Sequence, residues 1–418
     1  MPFVKALFGI AIALPALFGQ FGQTPIGTLP QTLEVDSGER SILVTGNGFQ
    51  PGWQVLWNGS PRETVFLSQY RLQVNLQAED TASPSLSSVS VVDQGNQLVR
   101  TPLPFWVYVP LANNDFVYDT RLNRMWVAVP RLNARFANGI AVLNPETGSV
   151  ERFIPTPAEP VRIHLTEDGR FLYISLAGRI LRLNTTSYDF DLDFALPSNG
   201  SNPFVPSAMT TRPGDPDVLV VSLRAPFRSP GNVGSIVFDR GLRRGSGNFA
   251  LEDGPVEFPG WTATGQLIGT SDSKLYLISL VADGLKADRI TDLTFLVPIE
   301  CKYSNSLLYC GSGRVIDPMS GRIVSGYPAK GNIALLPDAD RIAFIDTGLQ
   351  GPTGAILGPL TIMAVSSAET VFSALVPMNG GSTFGPLISW GTNGFAWRDA
   401  GFNGINTPTD RLFIFRSR

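Results

Sequence analysis

The chain has 418 residues, of which 43% are hydrophobic and only 16% charged, and its formal net charge is −3. That length allows two or three domains with sizeable cores, and so weak a charge excludes the electrostatic footprint of a nucleic-acid binder. The 42 glycines and 33 prolines disfavour long helices and predict an all-β chain of short strands joined by turns.

The N-terminus reads as an export signal. Lys5 precedes the uncharged apolar run Ala6–Gly19, and no charge returns before Glu34. The run is shorter than the ~20 residues needed to span a bilayer. Residues 1–23 are expected to form a signal peptide, cleaved or kept as an anchor, and 24–32 a linker. This implies a secreted, periplasmic or cell-surface location, with no membrane span beyond the signal.

The stretch "GNGFQPGWQVLWNG", Gly46–Gly59, poses a choice between a phosphate-cradling loop and turns of a β domain. A phosphate loop must open a helix. Here Trp53, Val55 and Trp57 alternate with Gln54, Leu56 and Asn58, which is the period of a strand. Asn58-Gly59 is a turn signal, and Leu72, Val74 and Leu76 alternate again. With "SSVSVVD" and "PFWVYVP" the row reaches about seven short strands, the pattern of a small β-sandwich whose glycines serve turns. The run Gly46–Leu76 resembles the immunoglobulin-like IPT/TIG domain, which shares a G-x-G-F turn, a Pro-Gly and an apolar strand with Trp-Asn-Gly. The resemblance covers about 33–109. It implies an immunoglobulin-like sandwich used for binding or as a spacer, with no catalytic residue to carry over.

From 110 to 418 two elements recur. One is a turn followed by a short apolar strand, with turns near Asn123, Asp168, Asp215, Thr264, Asn305, Asp338 and Asn393, on average ~45 residues apart. The other is an apolar strand, a polar turn and a return strand, as in "IAVLNPETGSVERFI". Two elements keeping one period predict a seven-bladed β-propeller over 110–418. The last unit ends at "RLFIFRSR" without a return strand, so Pro110–Tyr118 is expected to supply it and close the ring. "NPETG" (Asn144–Gly148), "DPMSG" (Asp317–Gly321) and "EDGRFLYIS" (Glu167–Ser175) resemble YVTN-type propeller repeats. A TIG-like domain followed by such a propeller resembles a class of secreted bacterial proteins.

Candidate chemistry is sparse. His164 is the only histidine, so neither a Ser-His-Asp triad nor a multi-histidine metal site is available, and a structural role is expected. No G-x-S-x-G, H-E-x-x-H or C-x-x-C occurs, and Glu167-Asp168 prepares a glycine turn. Asp189, Asp191 and Asp193 alternate along "DFDLDF", either a solvated strand face or a weak surface calcium site. No catalytic, metal or cofactor-binding residue is assigned, and no cofactor is expected.

Arg224, Arg228, Arg240, Arg243 and Arg244 fall within 21 residues, opposed only by Asp239. They read as a solvated loop or as a contact for an anionic polymer. The stretches 197–216, 224–234, 347–359 and 379–386 lengthen particular connections, where recognition usually resides. Cys301 and Cys310 are the only cysteines; a two-residue turn at Asn305-Ser306 would set them directly opposite, so a disulfide is expected, with two buried thiols as the alternative.

The functional expectation is an exported, non-enzymatic binding or scaffold protein whose propeller is the interaction platform, with a protein or a surface polysaccharide as partner. The alternative is a lyase- or lactonase-like propeller enzyme with its site at the channel mouth.

Overall fold

The computed structural model describes residues 26–133, 135–199, 202–225, 231–245, 256–271, 273–293, 300–346, 349–350, 356–378, 383–400 and 409–417. The expected signal peptide lies outside them, as does Arg228. The described chain is all-β, interrupted only by short 3-10 turns such as Ala78–Thr81 and Pro337–Ala339. No helix among the described residues is long and apolar enough to cross a membrane.

The chain divides into two compact units. One takes the residues up to Gln31, Glu39–Gln77 and Ser88–Leu103; the other takes Thr32–Gly38, Ala78–Ser87 and Pro104–Arg418. In the first, Gly27–Leu29, Arg40–Thr45, Arg71–Leu76 and Glu63–Ser68 form one antiparallel sheet in that order. Ile42, Val44, Leu72, Val74 and Leu76 are buried, so the period-two pattern of the sequence is the inward face of the sheet. Gln54–Trp57 pairs with Ser60–Pro61 and with Val89–Val92, burying Val55 and Trp57. Asn58 and Gly59 both have positive φ, 51° and 81°, the backbone that the tight turn between these strands requires. The glycine stretch Gly46–Gly59 therefore leads into a strand and serves turns.

The second unit is a succession of small antiparallel sheets. Arg162–Leu165, Phe171–Leu176, Arg179–Asn184 and Phe190–Ala195, hydrogen-bonded in chain order, show the pattern. The first strands of the successive sheets are Asp115–Asp119, Arg162–Leu165, Val205–Arg212, Glu257–Trp261, Cys301–Ser304, Asn332–Leu336 and Thr383–Trp390. Each lies beside the next, and the run returns on itself, Thr383–Trp390 lying beside Asp115–Asp119. Small sheets ranged around their first strands are the arrangement of a β-propeller, with those strands about a central channel. The turns picked out at Asn123, Asp168, Asp215, Thr264, Asn305, Asp338 and Asn393 all lie at the junction of the first and second strands of a sheet. Residues with positive φ make these bends, among them Asn123 (52°), Gly169 (67°) and Gly265 (80°).

The ring closes differently in detail from the sequence expectation. The strand Leu98–Asn113 pairs through its end with Thr409–Arg416, Val109 opposite Leu412 and Pro110 opposite Arg411. Asp115–Asp119 instead begins the first sheet, because the chain turns at Asn114, whose N–H bonds to the Ala128 carbonyl. The closing sheet is packed with aromatic rings. Trp106 meets Trp397 edge-on at 5.1 Å, and Trp397 stacks on Phe413 at 5.3 Å. Trp106 Nε1 donates to the Leu375 carbonyl at 2.9 Å, so this fully buried indole leaves no polar atom unpaired.

The stretch 197–216 is not a plain loop. It holds a short hairpin, Ser198–Asn199 with Asn202–Pro203, and the first strand Val205–Arg212.

Candidate binding site at the channel mouth

The end of the ring at which the first strands begin carries an ionic cluster. Asp115, Arg162 and Glu257 are the opening residues of three first strands, and Glu300 and Lys302 flank the opening residue of a fourth. Arg398 comes from the second strand of the closing sheet and passes over Gly385; a Cβ built there would lie 2.2 Å from Arg398 Cγ. Only glycine leaves room for that crossing. Arg398 Nη1 then donates to the Asn113 carbonyl at 2.8 Å, while its buried Nε has no hydrogen-bond partner.

Asp115 and Arg162 act electrostatically on Arg398, and the same two groups with Glu300 and Lys302 act on Glu257. Enclosure raises the Glu257 carboxyl above the usual carboxylate range, with Arg162 and Lys302 acting against it and Glu300 and Asp115 with it. Enclosure also works against the Lys302 ammonium, but Glu300, Glu257 and Asp115 together hold it above the ordinary lysine value. Desolvation lowers Arg398, opposed by Asp115. Glu257 is hemmed in by protein and yet exposed to water. Both facts hold together on the wall of a central channel, where many protein atoms lie near a group without covering it.

Some of this charge is already spent. The Asp115 carboxylate accepts N–H bonds from Phe116 and Ile163, both at 3.0 Å, and Lys302 pairs with Glu300 at 2.5 Å. Arg162 and Glu257 form no ion pair with another described residue.

The same end of the ring receives the lengthened connections. In a four-stranded antiparallel sheet, the links from second to third strand and from fourth strand to the next sheet leave from the end where the first strand begins. The stretches 224–234 and 347–359 are links of the first kind, and 379–386 is of the second kind. Parts of each lie outside the described residues, but the flanking strands fix the end from which they leave.

The other sequence candidates sit elsewhere. His164 lies between two sheets, where its Nε2 accepts the Thr211 N–H at 3.0 Å; burial draws its pKa down to about 4, so the ring is neutral. Near it a cavity of about 140 Å³ is lined by Thr166, Glu167, Asp168, Thr211, Arg212 and Asp215 at the turn end of the ring. Its Asp168 is already bonded to Thr166 and Arg170. The arginine run is split. Arg224 ends a second strand opposite Asn232, whereas Arg240, Arg243 and Arg244 surround a turn beyond Asp239, which faces Val218. The six residue steps of strand from Val218 to Arg224 span ~20 Å. Arg244 is bound to Asp239 at 2.5 Å, and Arg240 lies 3.9 Å from Asp217.

Asp191 and Asp193 are bound by arginines rather than left for a cation. Asp193 pairs with Arg179, and Asp191 takes Arg182 Nε and Nη2 at 2.9 and 2.6 Å. Arg182, only 2% exposed, also reaches Asp217 at 2.5 Å and lies over the Phe171 ring at 4.2 Å. Among the described residues, no group of three or more metal-ligating side chains gathers. Cys301 and Cys310 are cross-strand partners with their sulfurs bonded and Cα atoms 4.0 Å apart.

No protein-family model matches the chain, and no curated protein matches it. Among solved structures, it is similar to the β-propeller domain of Cps50 (Swd1) from Myceliophteria thermophila, with 10% identity over 73% of this chain and 96% of that one, at a TM-score of 0.48. It is similar to BamB from Moraxella catarrhalis, with 14% identity, 70% and 81% coverage and a TM-score of 0.44. The WD40 β-propeller domain of Doa1 shows 8% identity, 73% and 92% coverage and a TM-score of 0.47. At these scores the likenesses carry no argument, and the ring rests on its own strand order.

Proposed function

We propose that the protein is an exported, non-enzymatic binding or scaffold protein, built from an immunoglobulin-like, TIG-type sandwich and a seven-bladed propeller of YVTN type. The propeller is the interaction platform, and the channel mouth is its binding face. One observation carries this reading: open charges on two first strands, Arg162 and Glu257, and three of the lengthened connections belong to the same end of one ring. Loops held by a rigid scaffold around a charged opening are suited to recognition. The apolar run after Lys5 supports export, and the residues 46–76 support the TIG assignment.

Two experiments test the reading. Residues 1–30 fused to alkaline phosphatase are expected to give an active enzyme outside the bacterial cytoplasm; an inactive fusion overturns export. The purified protein is expected to show no turnover of lactones, esters or polysaccharides with divalent metals supplied. Metal-dependent turnover would favour the lyase or lactonase alternative.

A further inference from the structure

The mouth contains three acids and three bases, but they are not equally committed. Asp115 is held by two backbone N–H groups, and Glu300 and Lys302 hold each other. What remains is the Arg162 guanidinium, the Glu257 carboxyl, and Arg398 beyond its one bond to the Asn113 carbonyl. Arg162 and Arg398 belong to the sheets on either side of the one that begins with Asp115, and Glu257 belongs to a sheet further round the ring. The open charge is therefore positive on one side of the channel and negative on another. Arg398 also keeps a buried Nε without a partner.

We propose that the channel mouth binds a small zwitterion, a free amino acid or short peptide, with its carboxylate between Arg162 and Arg398 and its ammonium at Glu257. Guanidinium groups offer paired N–H donors that fit a planar carboxylate, and in a partly desolvated site such charge-assisted bonds are stronger than neutral ones. A simple anion would meet the arginines but also add charge beside Asp115, Glu257 and Glu300. A simple cation would do the converse. A zwitterion satisfies both sides without changing the net charge of the mouth. This inference rests on the proposed role of the mouth as a binding face and adds the chemistry of its ligand.

The test uses the purified full chain and titration calorimetry with glycine and glycylglycine as probes. Acetate, methylammonium and N-acetylglycinamide serve as single-charge and neutral controls. The zwitterions are expected to bind and the controls to bind at least tenfold more weakly. Arg162→Gln and Glu257→Gln are each expected to weaken glycylglycine at least tenfold, while Arg322→Gln, at the turn end of a rim strand, leaves it unchanged. Arg162 donates no side-chain hydrogen bond to a described residue, so its replacement tests binding without unpairing a partner. Absence of zwitterion binding, equal binding of acetate, or unchanged affinity in Arg162→Gln overturns the inference. An exported protein that binds no zwitterion leaves the broader reading standing, whereas hydrolysis of glycylglycine overturns the broader reading instead.

Discussion

At Arg182 every charge meets a partner, whereas at the channel mouth Arg162 and Glu257 form no ion pair with another described residue and Arg398 holds only a backbone carbonyl. Both clusters lie in the same ring and use the same residue types. Arg182 is boxed by Asp191, Asp217, the Tyr173 hydroxyl at 3.3 Å and the Phe171 ring, and its guanidinium joins two neighbouring sheets. The carboxylates raise its pKa further despite the cost of desolvation. The mouth places Asp115, Arg162, Glu257 and Arg398 on four different strands. The contrast teaches that charge density does not mark a binding site; unfilled bonding capacity does.

The largest way to break the comparison is to remove Arg182. Arg182→Ala deletes a buried cation together with its packing on Phe171, and is expected to cost about 3 kcal/mol, read as a lower urea midpoint. An unchanged midpoint would place Arg182 among the dispensable surface charges.

His164 extends the contrast to a satisfied neutral group. Its folded-state pKa is about 4, against an ordinary value of 6.5. Because the folded value is depressed, the stabilisation is fully present above pH 6.5 and is lost as pH falls towards 4. The loss reaches about 3 kcal/mol at pH 4. Urea melts at pH 7 and pH 4.5 should fall further apart in the native protein than in His164→Gln, which has no imidazole to protonate. Equal gaps would remove His164 from the acid response.

The disulfide sharpens the comparison at the mouth itself, since Cys301 lies between Glu300 and Lys302. It closes a loop with a sequence separation of 9, so the Cys301→Ser, Cys310→Ser double variant is expected to lose about 2 kcal/mol. Quantitative thiol assay of the denatured, unreduced protein should find no free thiol. The smallest effect belongs to the mouth: Arg162→Gln is expected to change stability by no more than about 0.5 kcal/mol, because it leaves no buried partner unpaired.

How much of this was legible depended on the range of the forces involved. Turns at Asn123, Asp168 and Asn305 could be read because Asn, Asp and Gly tolerate the backbone a tight turn demands, which is a local property. The facing of Cys301 and Cys310 followed from one such turn. The mouth could not be read that way. Asp115, Arg162, Glu257 and Lys302 are separated by tens of residues, and each alone looks like an ordinary polar strand end. Only the order of the first strands brings them together; the available signal was a charge at the same position of several repeats. The acids of "DFDLDF" do lie on an exposed strand face, one of the two readings, but Asp191 is bound by Arg182, nine residues earlier and on the adjacent strand, and alternation along one strand does not show what its neighbour supplies.

The most direct measurement is the titration of Glu257 by carboxyl-carbon NMR, in the native protein and in Arg162→Gln. If the two residues face one water-filled channel, Glu257 titrates above the usual carboxylate range and rises further when the Arg162 charge is removed. A Glu257 that titrates at or below the ordinary value, and does not respond to Arg162, would contradict the account.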